Sequence, residues 1–267
     1  MDTGLKGKVV VITGGAKGIG RATAIAFAKE GANLALIDMD KAELDAVKKE
    51  AEGLGVKVGI STADQSTDKG VRDGIAEATK PFGGTLDVLF NNVGAGAVRS
   101  FEQLTDDDWN ATMNLNFMAY VRAIRVTLPE LRKKGGNIVN NASDLARQPE
   151  PVPVDYSVSK AAVLSLTKAL ARAEGPKGVR INAIAPGPVW TPFWTKPGGF
   201  AETMGQYHNK PPQEAVEYEM SLRQLPLGRL GRPEEVANVV VFLASDLATF
   251  ITSSVYGVDG GSIRNII

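Results

Sequence analysis

Tyr156 and Lys160 stand four residues apart in the stretch YSVSK. On a helix that spacing puts the phenol and the ammonium on one face, within reach of each other. A phenol beside a fixed cation can move a proton at an alcohol or carbonyl oxygen. An unperturbed tyrosine, with a pKa of about 10, is a poor base at neutral pH. A cation about 5 Å away, at an effective dielectric of about 20, is worth roughly 3 kcal/mol and is expected to lower that pKa by about two units. The same pair also occurs on solvated helix surfaces, so the elements that position it must carry the reading.

A second chemical stretch lies near the start. The apolar run KVVVI (8–12) is followed by TGGAKGIG (13–20), which leads straight into the helical pattern RATAIAFAKEG. Glycine permits a tight turn and a close backbone approach to a pyrophosphate, and the following helix offers unpaired N–H groups. Gly14, Lys17, Gly18, Ile19 and Gly20 are therefore candidate dinucleotide contacts. Asp38 closes the run NLALI, where this kind of fold places an acid on the ribose hydroxyls. A carboxylate there repels a 2′-phosphate, so NAD is expected over NADP. Lys17 lies in the turn and could approach a phosphate, but Met39, not an arginine, follows Asp38. The structural alternatives are an N-cap for Asp38 and a solvated Lys17.

The elements that would position these groups alternate along the chain. KVVVI (8–12), NLALI (33–37), VKVGI (56–60), LDVLF (86–90), NIVNNA (137–142), VRINAI (179–184) and SVYGV (254–258) are expected strands. Most are continuous apolar runs, as in a parallel sheet covered on both faces. Helical patterns lie between them at Gly20–Glu30, Ala42–Gly53, Asp106–Lys133 and Tyr156–Glu174. The expected fold is α/β: one Rossmann-like domain with a doubly wound parallel sheet. Ser143 follows NIVNNA and should project at the carboxyl edge of that sheet, where open α/β folds place ligands. Residues 191–225 form an unusually long connection containing Pro192, Pro197, Pro211 and Pro212, and also Phe193, Trp194, Phe200, Met204 and Tyr207. A substrate lid is expected there.

Composition removes several alternatives. The 267 residues carry no cysteine, which excludes disulfides, thiolate zinc sites and a cysteine nucleophile. His208 is the only histidine, so a Ser-His-Asp arrangement would hang on one residue in a Gly/Pro-rich stretch. No metal is expected. The formal net charge is zero, leaving no field to attract nucleic acid or an anionic membrane. No run approaches the ~18 apolar residues of a membrane span, and a soluble, cytoplasmic protein is expected.

In order along nearly the whole chain, TGGAKGIG, NNVG (91–94), Ser143, YSVSK (156–160), PGPVWT (186–191) and DGG (259–261) resemble the short-chain dehydrogenase/reductase family. The resemblance implies nicotinamide-dependent interconversion of alcohols and carbonyls, and often a tetramer. It makes Tyr156 the acid/base, Lys160 its partner and a ribose contact, Ser143 the hydroxyl on the substrate oxygen, and Asn116 the fourth member of a proton relay. Asn114 competes for the last role in MNLNF. Asn91 and Gly94 resemble adenosine-ribose contacts and Asp64 an adenine contact. Pro186, Gly187, Val189 and Thr191 resemble the segment that meets the carboxamide. Two departures, Val93 for the usual alanine of NNAG and Ala142 before Ser143, remove no functional group.

The expected activity is an NAD-dependent interconversion of a secondary alcohol and a ketone. Trp190, Phe193 and Trp194 near the nicotinamide segment suggest an apolar or cyclic small-molecule substrate. A 3-oxoacyl-thioester reductase and a non-catalytic nicotinamide-sensing module are the alternatives. The small residues of the helix from Tyr156 and the tail Ile266-Ile267 suggest a homo-oligomer.

Overall fold

The computed structural model of the chain describes residues 1–264. Ile266 and Ile267, expected at a subunit contact, lie outside the described residues. All seven expected strands form, with ends moved by one or two residues: β1 Val9–Thr13, β2 Asn33–Asp38, β3 Val58–Thr62, β4 Val88–Asn91, β5 Asn137–Asn141, β6 Arg180–Pro186 and β7 Val255–Val258. They make one parallel sheet in the order β3-β2-β1-β4-β5-β6-β7. Strand order reverses between β1 and β4, which opens a crevice at the carboxyl ends of those strands.

Alternation along the strands sorts the core into two layers. Val10, Ile12, Leu34 and Leu36 face one side, where they meet helices α1 (Gly18–Lys29), α2 (Lys41–Glu52) and α10 (Pro233–Ala244). Val9, Val11, Ala35 and Ile37 face the other, against α3 (Asp68–Thr79), α5 (Ala119–Lys134) and α6 (Val154–Glu174). Both faces are therefore buried, which explains why the strands read as unbroken apolar runs. Across the second layer, Glu174 at the end of α6 accepts from Arg132 Nε and Nη2 on α5 at 2.7 and 2.8 Å. The guanidinium holds its carboxyl down at about 2.

Four helical features differ from the sequence expectation, one being that α10 lies outside every helical pattern read there. Helix α3 is missing from the expected helices although its buried Val71, Gly74, Ile75 and Ala78 recur at helical spacing. A Cβ at Gly70 would stand 1.8 Å from Asp64 O, and one at Gly74 would stand 3.1 Å from Ile37 Cγ2, so glycine is what lets this helix lie close to the sheet. The helix expected over Asp106–Lys133 is α4 (Asp106–Met113) joined to α5 by a five-residue π-helical stretch, Asn114–Met118. Such wide turns swing the side chains within them onto a different face. Residues 191–225 are largely helical: α7 Pro192–Thr195, α8 Phe200–His208 and α9 Pro212–Leu222. Pro192 and Pro212 occupy first helical positions, where the missing N–H costs nothing, and Asn209 ends α8 with a left-handed φ of 51°. No helix among the described residues is long and apolar enough to cross a membrane.

Candidate functional site

The carboxyl end of β1 delivers the glycine turn. Gly14 has a φ of +65°, and the amides of Gly14 and Gly15 both donate to Ile37 O. Asn92, the first residue past β4, braces the turn by donating from Nδ2 to Thr13 O and Gly14 O at 3.1 and 3.0 Å. A Cβ at Gly20 would lie 1.9 Å from Gly14 O, so its bare backbone lets α1 pack on the turn. Asp38 is fixed beside it: Oδ2 accepts from Ala16 N at 3.1 Å, and Oδ1 accepts from Met39 N and Asp40 N. Lys17 pairs with Asp40 at 2.6 Å, so its charge is already matched. Asp40, not Asp38, caps α2.

Ser143 sits just beyond β5, accepting from Leu145 N at 3.2 Å and donating to Asp144 Oδ1 at 3.0 Å. Tyr156 is the third residue of α6 and Lys160 follows one turn later. Lys160 is buried, and its Nζ donates to Asn141 O at 2.8 Å and to the Tyr120 hydroxyl at 3.2 Å. It stands 5.7 Å from the centre of the Tyr156 ring. Burial brings the Lys160 pKa down to about 7. Burial also pushes the Tyr156 phenol well above its ordinary value, against the pull of the neighbouring Ser143 hydroxyl and with a further push from the Asp144 carboxylate. The expected depression of Tyr156 is therefore corrected: removing the phenol from water raises its pKa more than its neighbours lower it.

Asn116 is turned inward by the π-helical stretch and fully buried. Its Oδ1 accepts from Ala95 N and its Nδ2 donates to Ala95 O, both at 2.9 Å, and Nδ2 also donates to Ser159 Oγ at 3.2 Å. It thus clamps the backbone that follows β4. Asn114 turns outward and accepts from Arg122 Nη2.

These groups border one cleft of about 840 Å³, within the range of small-molecule and cofactor sites. Its walls include Gly14, Lys17, Gly18, Ile19, Asp38, Gly94, Ser143, Tyr156, Lys160, Pro186, Gly187, Val189 and Thr191. Four expected site residues lie elsewhere. Gly20 and Asn116 support the wall from behind. Asn91 is buried at the end of β4 and donates to Asn140 Oδ1 across the sheet, while Asn92 reaches the cleft in its place. Asp64 is exposed and accepts from Ser66 N. Three contributors escaped the sequence reading: Asn92, the second asparagine of NNVG; Asp144, next to Ser143; and Tyr120, four residues beyond Asn116 on the same helical run.

Helices α7 and α8 form an aromatic wall on the far side. Phe193 lies 5.7 Å from Tyr156 and 5.1 Å from Phe200, centre to centre, and Trp194 lies 5.6 Å from Phe200. Trp190 is corrected out of this wall: it packs with Met220, Leu230 and Trp194 in a small core beneath the helices. Beyond the aromatics the cleft turns polar, where Glu219 accepts from His208 at 2.9 Å and from Arg223 at 3.2 Å.

The cradle fits a nicotinamide dinucleotide. The turn carries glycine at positions 14, 15 and 18, and a Cβ at Gly94 would stand 3.2 Å from Asn116 Oδ1 and 3.3 Å from Lys160 Nζ, a tight contact that glycine avoids. When bound, the dinucleotide accepts or delivers a hydride. Opposite it, Ser143 Oγ can orient a substrate oxygen and the Tyr156 hydroxyl can give it a proton or take one away.

The chain is similar over nearly its whole length to known proteins. A family model described as enoyl-(acyl carrier protein) reductase matches residues 14–262. The 3-oxoacyl-[acyl-carrier-protein] reductase of Thermotoga maritima is 35% identical over 260 residues, covering 97% of this chain and 99% of its own. The crystal structure of L-sorbose reductase from Gluconobacter frateurii, complexed with NADPH and L-sorbose, superposes with a TM-score of 0.92 at 36% identity and covers both chains completely. A short-chain dehydrogenase/reductase from Serratia marcescens gives a TM-score of 0.83 at 31% identity, covering 97% of this chain and 98% of its own.

The buried lysine makes stability depend on pH. Its pKa is about 7 in the folded chain against an ordinary 10.5, so between those values the folded state holds fewer protons than the unfolded one. Unfolding free energy from this group therefore rises with pH across that window, by up to about 1.4 kcal/mol per unit. Urea unfolding at pH 7 and pH 9 should show Lys160→Met losing most of the gain seen in the wild type. Identical pH dependence in the two proteins would contradict the burial of Lys160.

Proposed function

The chain belongs to the short-chain dehydrogenase/reductase family, and from that premise we propose that it interconverts an apolar or cyclic secondary alcohol and its ketone with NAD as the hydride carrier. Family membership makes it a nicotinamide-dependent oxidoreductase acting on CH–OH and carbonyl groups. The observation that carries the reading is the convergence of Ser143, Tyr156 and Lys160 on one wall of the cleft, facing the glycine turn.

In this reading Tyr156 transfers the proton, Ser143 holds the substrate oxygen and Lys160 supplies the neighbouring positive charge. The raised phenol pKa keeps Tyr156 protonated across the neutral range, the form needed to donate to a carbonyl oxygen, so reduction is favoured at neutral pH and oxidation gains as pH rises. The aromatic wall beside Tyr156 supports a substrate with a substantial apolar body, and helices α7 to α9 are read as the lid that closes over it. Asp38 supports NAD: with Asp40 it puts two carboxylates near the ribose position, and Lys17 is neutralised by its pair. The NADPH of the L-sorbose reductase structure defines the competing choice. Homo-oligomerisation, as the tetramer the resemblance implies, is supported by the exposed Leu247 and Phe250. The second reading, reduction of a 3-oxoacyl thioester, has the Thermotoga relative in its favour. A purely sensing role has no use for a complete proton-transfer set.

Tyr156→Phe keeps the ring against Phe193 and removes only the transferable proton. Turnover should fall by about 10²–10⁴-fold, the usual worth of a positioned acid or base, with dinucleotide affinity in equilibrium titration changed by less than about threefold. Turnover near the wild-type level would overturn the assignment. For the carrier, kcat/KM should favour NADH over NADPH by at least about tenfold, or 1.4 kcal/mol. Asp38→Asn, which keeps the size of the side chain, removes the charge and gives up one of its two acceptor oxygens, should erase most of that ratio. Equal efficiency of the wild type with both carriers would sink the role given to Asp38.

A further inference from the structure

Tyr120 is the largest of the fully buried side chains, set in the core layer formed by α3, α5 and α6. A phenol in that position must bond its hydroxyl or lose the hydration it gives up. Both of its bonds go to the site: the hydroxyl donates to Asn141 O at 3.1 Å and accepts from Lys160 Nζ at 3.2 Å. Lys160 Nζ itself donates to Asn141 O at 2.8 Å, so ammonium, hydroxyl and carbonyl close a triangle. Nζ also lies 5.1 Å from the centre of the Tyr120 ring, on which a cation is favoured.

Among the described residues no carboxylate pairs with Lys160. The titratable groups around it are Tyr120 on α5, Tyr156 and Asp155 on α6, and Asp144 after β5. Asp155 accepts from Thr112 on α4, and Asp144 accepts from Ser143 and Ser262. Tyr120 is itself held neutral by burial. The Tyr120 hydroxyl and the Asn141 carbonyl are thus the acceptors that define where the lysine's nitrogen rests. Asn141 ties that point to the glycine turn, since its Nδ2 donates to Asn92 Oδ1 at 2.9 Å and Asn92 donates to Gly14 O.

We propose that Tyr120 is a positioning residue for Lys160: its hydroxyl fixes Nζ against the Asn141 carbonyl and, as an acceptor, favours the charged form of the amine. The proposal rests on the reading of Lys160 as part of the proton-transfer site only for its importance to the reaction. Its geometry stands independently, and so does its test.

The test follows Lys160 itself. In protein labelled with ¹³C at lysine Cε, the Lys160 signal is assigned by its loss in Lys160→Met and titrated by NMR in wild type and in Tyr120→Phe. Phenylalanine fills the same volume and removes only the oxygen. The wild-type midpoint is expected near 7, and that of Tyr120→Phe lower by about one pH unit, a tenfold loss of proton affinity. Should Tyr120→Phe fail to fold, 3-fluorotyrosine at position 120 keeps the shape and weakens the oxygen as an acceptor, and it should move the midpoint in the same direction by less. An unchanged midpoint in whichever protein is folded overturns the proposal. Because the titration needs no substrate, it separates this result from the failure of the proposed reaction: a shifted midpoint with no turnover on any ketone leaves the positioning role standing and removes the proposed activity.

Discussion

A lysine nitrogen held in the protein interior against a backbone carbonyl is the constraint around which the site is arranged. Lys160 has left water without acquiring a carboxylate, and the cost appears as its lowered proton affinity. What it gains is a fixed position 2.8 Å from Asn141 O at the end of the interior strand β5. Tyr156 one turn earlier on α6 and Ser143 two residues beyond Asn141 then fall into place without further adjustment. Glycine at position 94 keeps clear the space between Lys160 and Asn116, which a Cβ would crowd at 3.2–3.3 Å.

The two ends of the cleft are joined by amide side chains, not by charge. Asn92 reads the glycine turn, Asn141 reads Asn92, and the Asn141 backbone holds the lysine. Amide hydrogen bonds in a buried sheet edge are stiff because leaving any one unmade costs about 1–3 kcal/mol. Thr191 at the root of the lid lies against the turn on the other side, where a side chain on Gly18 would meet it at 3.3 Å.

Much of this was legible in the residues. The seven strands declared themselves because a parallel sheet buried on both faces writes each strand as an apolar run, and the glycine turn because it stands between such a run and a helix. Helix α3 was overlooked although Val71, Gly74, Ile75 and Ala78 recur at i, i+3, i+4 and i+7, because two glycines in twelve residues argue against a helix by propensity. The lid helices were hidden by prolines that start helices as readily as they break them. Asn91 and Asn92 were exchanged because the last strand residue still faces its register partner Asn140, while the next one is free to turn into the cleft. The direction of the Tyr156 shift was missed because spacing reports the distance to a cation and says nothing of the water that burial removes.

The central claim is hydride exchange between a nicotinamide carrier and a secondary alcohol or ketone. Its most direct test is the initial rate of reduced-nicotinamide formation or loss across a panel of cyclic, aromatic, aliphatic and polyhydroxylated alcohols and ketones, with both carriers run in parallel. The account expects carrier turnover stoichiometric with substrate on at least one bulky apolar member, faster than on any small polyol. No turnover on any member while the carrier is bound at saturation would contradict it.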